Sequence, residues 1–306
     1  MLKKLIRISR PHIWIYTAGS YITGVLLGYR HIYDGFSLFQ AEPFKVIGLA
    51  ISHISSHTDL LVLLYTGLWL TVGANVFLYA QNDAHDIETD LLNPKKDSFE
   101  ERAEISDKKK LLLYSLYAYL LYVPCLFFLK KELLILFLIW TLIVLTYNFK
   151  PFRFKAIPIL DCIFAFNFPL WGIFGYTLVT NSLPSIITIV ILFIFAIVSH
   201  IYTASGDIEY DKKDSIITTS VFIGNLSRNI YACIFGMLLL FYMSLIYFTP
   251  ILHAALAPVY SIYILFFALQ LINIYRPYTH RDTNIWYKWY IYIHYISGFI
   301  FMSLYF

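Results

Sequence analysis

The chain has 306 residues, 59% of them hydrophobic and only 14% charged, where soluble domains carry roughly a quarter charged residues. Its mean hydropathy is +0.67, more apolar surface than one soluble core of this length can hide, so a soluble globular protein is excluded and lipid is the natural solvent. The net charge of +4 carries no nucleic-acid footprint.

Apolar segments at 12–29, 60–81, 111–129, 132–148, 157–180, 184–203, 229–249, 254–275 and 286–305 predict about nine membrane spans. Each approaches the ~20 residues that a bilayer core requires. The expected fold class is an all-α membrane protein, with 1–306 forming one membrane-embedded domain. The first span follows Arg10-Pro11, contains Trp14, Tyr16 and Tyr21, and lacks a small-residue cleavage site, so it reads as a span and not as a cleaved signal peptide. In the long connection 30–59, the mildly apolar stretch 44–52 suggests an interfacial helix. Only Lys130 and Lys131 separate the third and fourth spans, which predicts a tight helical hairpin.

Lysine and arginine are distributed unevenly between alternate connections. With the N-terminus inside, 19 of the 23 fall on the cytoplasmic side, and Arg30, Lys45, Lys130 and Lys131 fall on the other. The positive-inside rule then places the N-terminus in the cytoplasm and, for nine spans, the C-terminus outside. Cys125, Cys162 and Cys233 all lie in apolar segments without CxxC spacing and read as buried small hydrophobes.

Two long cytoplasmic connections carry carboxylates where spans end. The first reads Asn82-Asp83-Ala84-His85-Asp86-Ile87-Glu88-Thr89-Asp90. If the second helix continues, Asp83, Asp86 and Asp90 share one face, with Asn82 beside it. Three stacked like charges at a low-dielectric boundary repel, and a hard cation relieves that repulsion. Carboxylate and amide oxygens are the ligands Mg²⁺ prefers. The second connection reads Asp207-Ile208-Glu209-Tyr210-Asp211-Lys212-Lys213-Asp214, which puts Asp207, Asp211 and Asp214 on one face. Either cluster alone is as readily a solvated helix end. Two on one side, each ending a span, point to a metal-held anion, and a diphosphate bridged by two metals fits them. Basic residues on the same side that could complete the clamp are Arg10, Lys95, Lys96, Lys150, Arg153 and Lys155. Taken singly, each is equally a topology signal or a headgroup contact. Arg153 and Lys155 are favoured because they lie in a short loop between Pro151 and Pro158. Asn75, Asn167 and His200 read as structural hydrogen-bond partners, and His85 lies off the acid face.

These motifs resemble the UbiA-type intramembrane prenyltransferase superfamily. NDAHDIETD at 82–90 matches its NDxxDxxxD, DIEYD at 207–211 matches its DxxxD, and YNFKPFRFKAIPILD at 147–161 is similar to its tyrosine–basic–aspartate loop. The resemblance implies a helical bundle around a central cavity. It implies Mg²⁺ and a prenyl diphosphate donor held by Asn82, Asp83, Asp86, Asp90, Asp207 and Asp211. Arg153 and Lys155 would sit over the phosphates and Tyr147 near the reacting carbon. Catalysis would then rest on Asp86, Asp207, Asp211 and Tyr147, with Arg10, Lys95 and Lys96 as further diphosphate contacts. NDAHDIETDLLNPKKDSFE at 82–100, with Thr218-Thr219 after the second motif, is similar to the lycopene elongase branch, which implies a carotenoid acceptor such as lycopene. Where that family often has glycine, four positions after the second aspartate, this chain has Ser215. An aromatic quinone precursor is the alternative acceptor. A cation-coordinating transporter is the alternative of another class, but transporter sites favour broken helices near the midplane, and no predicted span centre carries Asp or Glu. The DGxxAR signature of lipid phosphotransferases is absent. The partners expected are donor, lipophilic acceptor and membrane lipid.

Overall fold

A computed structural model describes residues 2–32, 57–87, 103–149, 151–205, 207–213 and 215–224, with Leu226, Asn229, Cys233, Gly236 and six residues between 288 and 296. Among these the regular structure is helical throughout. Helix α1 is Leu2–Ile8, and a 3₁₀ turn at Pro11–Ile13 and a π turn at Ile15–Gly19 lead into α2, Ser20–Ile32. Helices α3, His57–Thr71, and α4, Gly73–Asp86, run almost end to end. Then come α5, Lys108–Leu120; α6, Val123–Leu126; α7, Lys131–Asn148; α8, Leu160–Ile163; α9, Asn167–Thr180; α10, Ile186–Ala204; α11, Ile208–Lys213; and α12, Thr219–Ile223.

Three stretches are long and apolar enough to cross a membrane: Asp59–Asp86, Lys131–Asn148 and Leu160–Thr180. They correspond to the second, fourth and fifth predicted spans, and α10 corresponds to the sixth. The predicted third span differs. Its helix stops at Leu120 and restarts as the single turn α6. Pro124 explains the break, because its ring would clash with the carbonyl of Leu120 and it has no N–H to donate. The last three predicted spans and the 44–52 stretch lie almost wholly outside the described residues.

Helix α7 begins after Lys130 in extended conformation, with Glu132 in its first turn complementing the helix dipole, and it ends at extended Phe149, two residues before Pro151. Its buried face, with Phe137 and Trp140, meets Trp69, Tyr122 and Trp171 in an aromatic core. Ring centroids there stand 4.4 Å apart for Trp69–Tyr122 and 5.1 Å for Trp140–Trp171. Helices α2 and α9 pack backbone to backbone through Gly24, Gly172 and Gly175. Polar bonds stitch the helices where apolar packing alone has no driving force in lipid. Asn75 donates to Thr17 Oγ1 at 2.9 Å, Thr17 donates to Leu70 O at 3.0 Å, and Gln81 donates to Ser115 Oγ at 2.9 Å.

Cys125 and Cys162 are buried as expected, but Cys233 is exposed. Hydrophobic neighbours in sequence do not bury a residue in a membrane helix, because its outer face is as apolar as its inner one.

Candidate functional site

The second predicted span continues as a helix through the first acid motif as far as Asp86, so Asp83 and Asp86 occupy one face of α4. Both are buried, at 5% and 2% exposure. Each faces a cation from elsewhere in the chain. The Arg10 guanidinium lies 2.6 Å from Asp83 Oδ1 and 4.3 Å above the Tyr79 ring. Arg10 sits at the turn before Pro11 with φ 49°, a left-handed conformation that turns the chain from α1 into the 3₁₀ turn. The Lys155 ammonium donates to Asp86 Oδ2, and Arg153 Nη2 approaches Asp86 Oδ1 at 3.9 Å. The 3₁₀ turn Phe154–Ala156, entered through Arg153 at φ 35°, brings both cations back over α4.

The second motif lies beyond the end of α10. The Asp211 amide donates to Asp207 O at 2.8 Å, so these two carboxylates share a face of α11. Both are partly exposed. Ser215, where the family often carries glycine, has φ 58°, a region glycine enters without steric penalty. Asp90, Lys95, Lys96, Lys150 and Asp214 lie outside the described residues.

Tyr147 lies between the two motifs in sequence. It is buried at the end of α7, and its ring stacks on Phe164 at 3.9 Å. Hydrogen bonds link the two acid motifs, some 120 residues apart in sequence: the loop that carries Lys155 to Asp86 also bonds Thr219 Oγ1 through the Ile159 amide at 2.6 Å, and the adjacent Thr218 donates to Asp211 Oδ2 at 3.3 Å. Asn82 is half-buried on α4 beside this face. Hard carboxylate oxygens from two sides, with cations at hand, are the donor set that suits Mg²⁺.

Several residues here were not singled out for the site by sequence. Asp161, fully buried, accepts from the Thr219 amide at 3.0 Å and from the Thr219 hydroxyl, with His200 Nε2 3.5 Å away. His200 therefore makes the structural contact expected of it. Asn148, next to Tyr147, is 2% exposed, and neither amide atom has a hydrogen-bond partner among the described residues. It falls within the 147–161 segment quoted above, but nothing in that pattern marked the amide itself. Asn167 caps locally by donating to Phe164 O at 2.6 Å, and His85 bonds Gln81 O at 2.8 Å, away from the acids.

Comparison with known proteins identifies the family and the fold. The UbiA prenyltransferase family matches residues 43–303. A lycopene elongase/hydratase from Haloarcula japonica is 30% identical over 265 residues, which cover 81% of both chains. One from Halobacterium salinarum is 27% identical over 81% of this chain and 86% of that one. Among solved structures, a UbiA homolog from Archaeoglobus fulgidus bound to GPP and Mg²⁺ superposes with a TM-score of 0.62 at 17% identity, over 98% of this chain and 99% of that one. A digeranylgeranylglyceryl phosphate synthase superposes with a TM-score of 0.61 at 20% identity, over 99% and 98% of the two chains. The match spans the aspartates of both motifs and the aromatic loop between them, and the chain belongs to the UbiA prenyltransferase family and is a prenyltransferase.

Proposed function

We propose that this protein moves a prenyl group from an allylic prenyl diphosphate to a carotenoid such as lycopene, with Mg²⁺, in the cytoplasmic membrane of a prokaryote. The observation that carries the reading is that the loop holding Arg153 and Lys155 against Asp86 also bonds, through Ile159, the Thr218–Thr219 segment that touches Asp211. Asn82, Asp83, Asp86, Asp90, Asp207 and Asp211 would hold Mg²⁺. Bound there, Mg²⁺ neutralises phosphate oxygens and stabilises the leaving diphosphate.

The side chains supply the rest. Arg153 and Lys155, now against Asp86, meet the phosphate charge as the donor binds, with Arg10, Lys95 and Lys96 as further contacts. The allylic C–O bond breaks with its electron pair leaving on the diphosphate. The acceptor's π-electrons then attack the allylic carbon, and the product cation loses a proton or takes up water. Tyr147 and the aromatic rings beside it offer π-faces to the allylic cation and exclude water from it. The acceptor assignment draws on the 82–100 motif and on the Haloarcula japonica relative.

Asp86→Ala and Asp207→Ala should each abolish Mg²⁺-dependent diphosphate release in membranes while the protein still inserts. Full turnover by both variants would sink the metal-site assignment. Expression in a lycopene-making host should yield a longer carotenoid. Prenylation of an aromatic quinone precursor there, with the carotenoid unchanged, would refute the acceptor assignment and leave the metal site standing.

A further inference from the structure

Outside the carboxylates assigned above, a buried polar cluster among the described residues joins the loop before α8 to the chain around α10 and α12. Three consecutive residues, Thr218, Thr219 and Ser220, are buried, and their hydroxyls point in three directions. Thr218 Oγ1 donates to Asp211 Oδ2 at 3.3 Å and also accepts from the Val221 amide at the start of α12. Ser220 Oγ donates to Ile201 O at 2.9 Å, on the helix that leads to Asp207. Thr219 is held most completely. Its amide and hydroxyl both donate to Asp161, and its oxygen accepts from the Ile159 amide at 2.6 Å and from Cys162 Sγ at 3.3 Å.

Asp161 thereby ties together two parts of the site that sequence keeps apart. On its own side the chain runs back through Ile159 to Lys155 and Arg153, the cations over Asp86. Ile159 holds φ 74°, a conformation a β-branched residue adopts only when its surroundings fix it. Its amide bond to Thr219 is one such fixture. On the other side Thr219 sits next to Thr218, which touches Asp211. Two bonds to one carboxylate fix Thr219 in position and orientation, and the adjacent residue inherits that placement.

Asp161, Cys162 and His200 also offer ligand atoms within 4.8 Å of one another, which invites a metal reading. The hydrogen bonds argue against it. Both Asp161 oxygens already accept from Thr219, and the Cys162 thiol is turned to the Thr219 hydroxyl. A soft-metal site needs a thiolate, whereas this sulfur keeps its proton in a bond to the Thr219 hydroxyl.

We infer that Asp161, acting through Thr219, is a positioning residue that sets Asp211 opposite the Arg153–Lys155 loop. The inference rests on the metal–diphosphate reading of the two acid motifs. It places the distance between the two halves of the clamp under the control of a residue that touches neither metal nor donor.

Binding tests it without turnover. Calorimetry on the purified protein in detergent would measure Mg²⁺ with inorganic diphosphate as the probe. Asp161→Asn and Thr219→Val should each weaken that binding about tenfold, and Thr219→Ser, which keeps the hydroxyl, should restore it to within about twofold. In an Asp211→Asn background the added loss from Asp161→Asn should shrink to less than about twofold, because residues acting through one another are not additive. A merely structural role predicts unchanged binding per folded molecule, with only the melting temperature lowered, and that result overturns the inference. So does a full additive loss in the Asp211→Asn background. So does stoichiometric zinc in the purified protein that Cys162→Ser removes. If Thr219→Val does not accumulate as folded protein, the Asp161→Asn cycle alone decides. The parent reading fails separately: Asp86→Asn would then bind Mg²⁺–diphosphate as well as the unsubstituted protein.

Discussion

Arg10 and Asp83 form a buried ion pair in the site, with side chains 9% and 7% exposed and 2.6 Å between them. Removing one partner of a buried pair costs on the order of 3–5 kcal/mol, because the other charge stays where water cannot reach it. Arg10→Met should therefore lower the unfolding temperature in detergent well below that of a surface Lys→Met control. Arg10→Met with Asp83→Asn together should recover at least half of the loss. An Arg10→Met melting temperature equal to the control would mean that the pair does not hold α1 to α4. Sequence marked both residues, because a motif aspartate and an arginine before proline stand out in an apolar chain. It could not pair them, since they lie 73 residues apart and only packing decides which cation meets which carboxylate. Asp161, Thr219 and Asn148 were less legible for another reason. All three fall in segments that carry the family resemblance, but Asp161 and Thr219 act on each other across 58 residues, and a local pattern does not show that pairing.

At the scale of elements, the spans that sequence found best are those whose apolar runs are uninterrupted. Lys131–Asn148 begins and ends within a residue of the 132–148 prediction. The third span was misread as continuous because hydropathy is insensitive to a proline, whereas the backbone is not. How the helices pack was not legible at all. In lipid a helix can be apolar on every side, so the buried face leaves no hydrophobic signature, and close contact depends on small residues. Gly24 makes this concrete. A Cβ built there would fall 1.9 Å from Gly172 O on α9, and one at Gly175 would fall 2.4 Å from Tyr21 O on α2. These are backbone atoms, so relief requires the helices to separate. Gly24→Ala should cost about 1–3 kcal/mol, the usual range for forcing atoms into a packed interface. Gly67→Ala, where a Cβ would meet the Tyr21 ring at an ordinary 3.5 Å, should leave the melting temperature nearly unchanged by comparison. Equal melting temperatures for the two variants would contradict the backbone-to-backbone contact of α2 and α9.

Over the whole molecule the described residues sort into two ends. At one end Lys130 bonds Asn181 Oδ1 at 2.5 Å and approaches Asp59 Oδ2 at 3.7 Å, gathering the start of α3, the start of α7 and the end of α9. At the other end lie both acid motifs, Arg10, Arg153 and Lys155, and the Lys4–Asp107 bond of 3.0 Å. Lysine density alone led to the same division, since Lys130 and Lys131 were assigned to one side and the motif connections to the other. The agreement has a physical basis. Charge bias acts on connections as they meet the membrane during insertion, and packing then collects the ends of helices that cross in alternating directions. The positive-inside rule predicts that the acid end faces the cytoplasm, and the proposed reaction needs it there to meet a water-soluble diphosphate. Cysteine labelling decides it. In a Cys233→Ser background, which removes the exposed thiol and leaves Cys125 and Cys162 buried, Lys131→Cys should react with an impermeant maleimide on intact cells. Lys109→Cys, exposed at the start of α5, should react only after lysis. The opposite pattern would put the acid motifs outside the cell, away from a cytoplasmic donor, and would overturn both the topology and the donor's proposed route to the site.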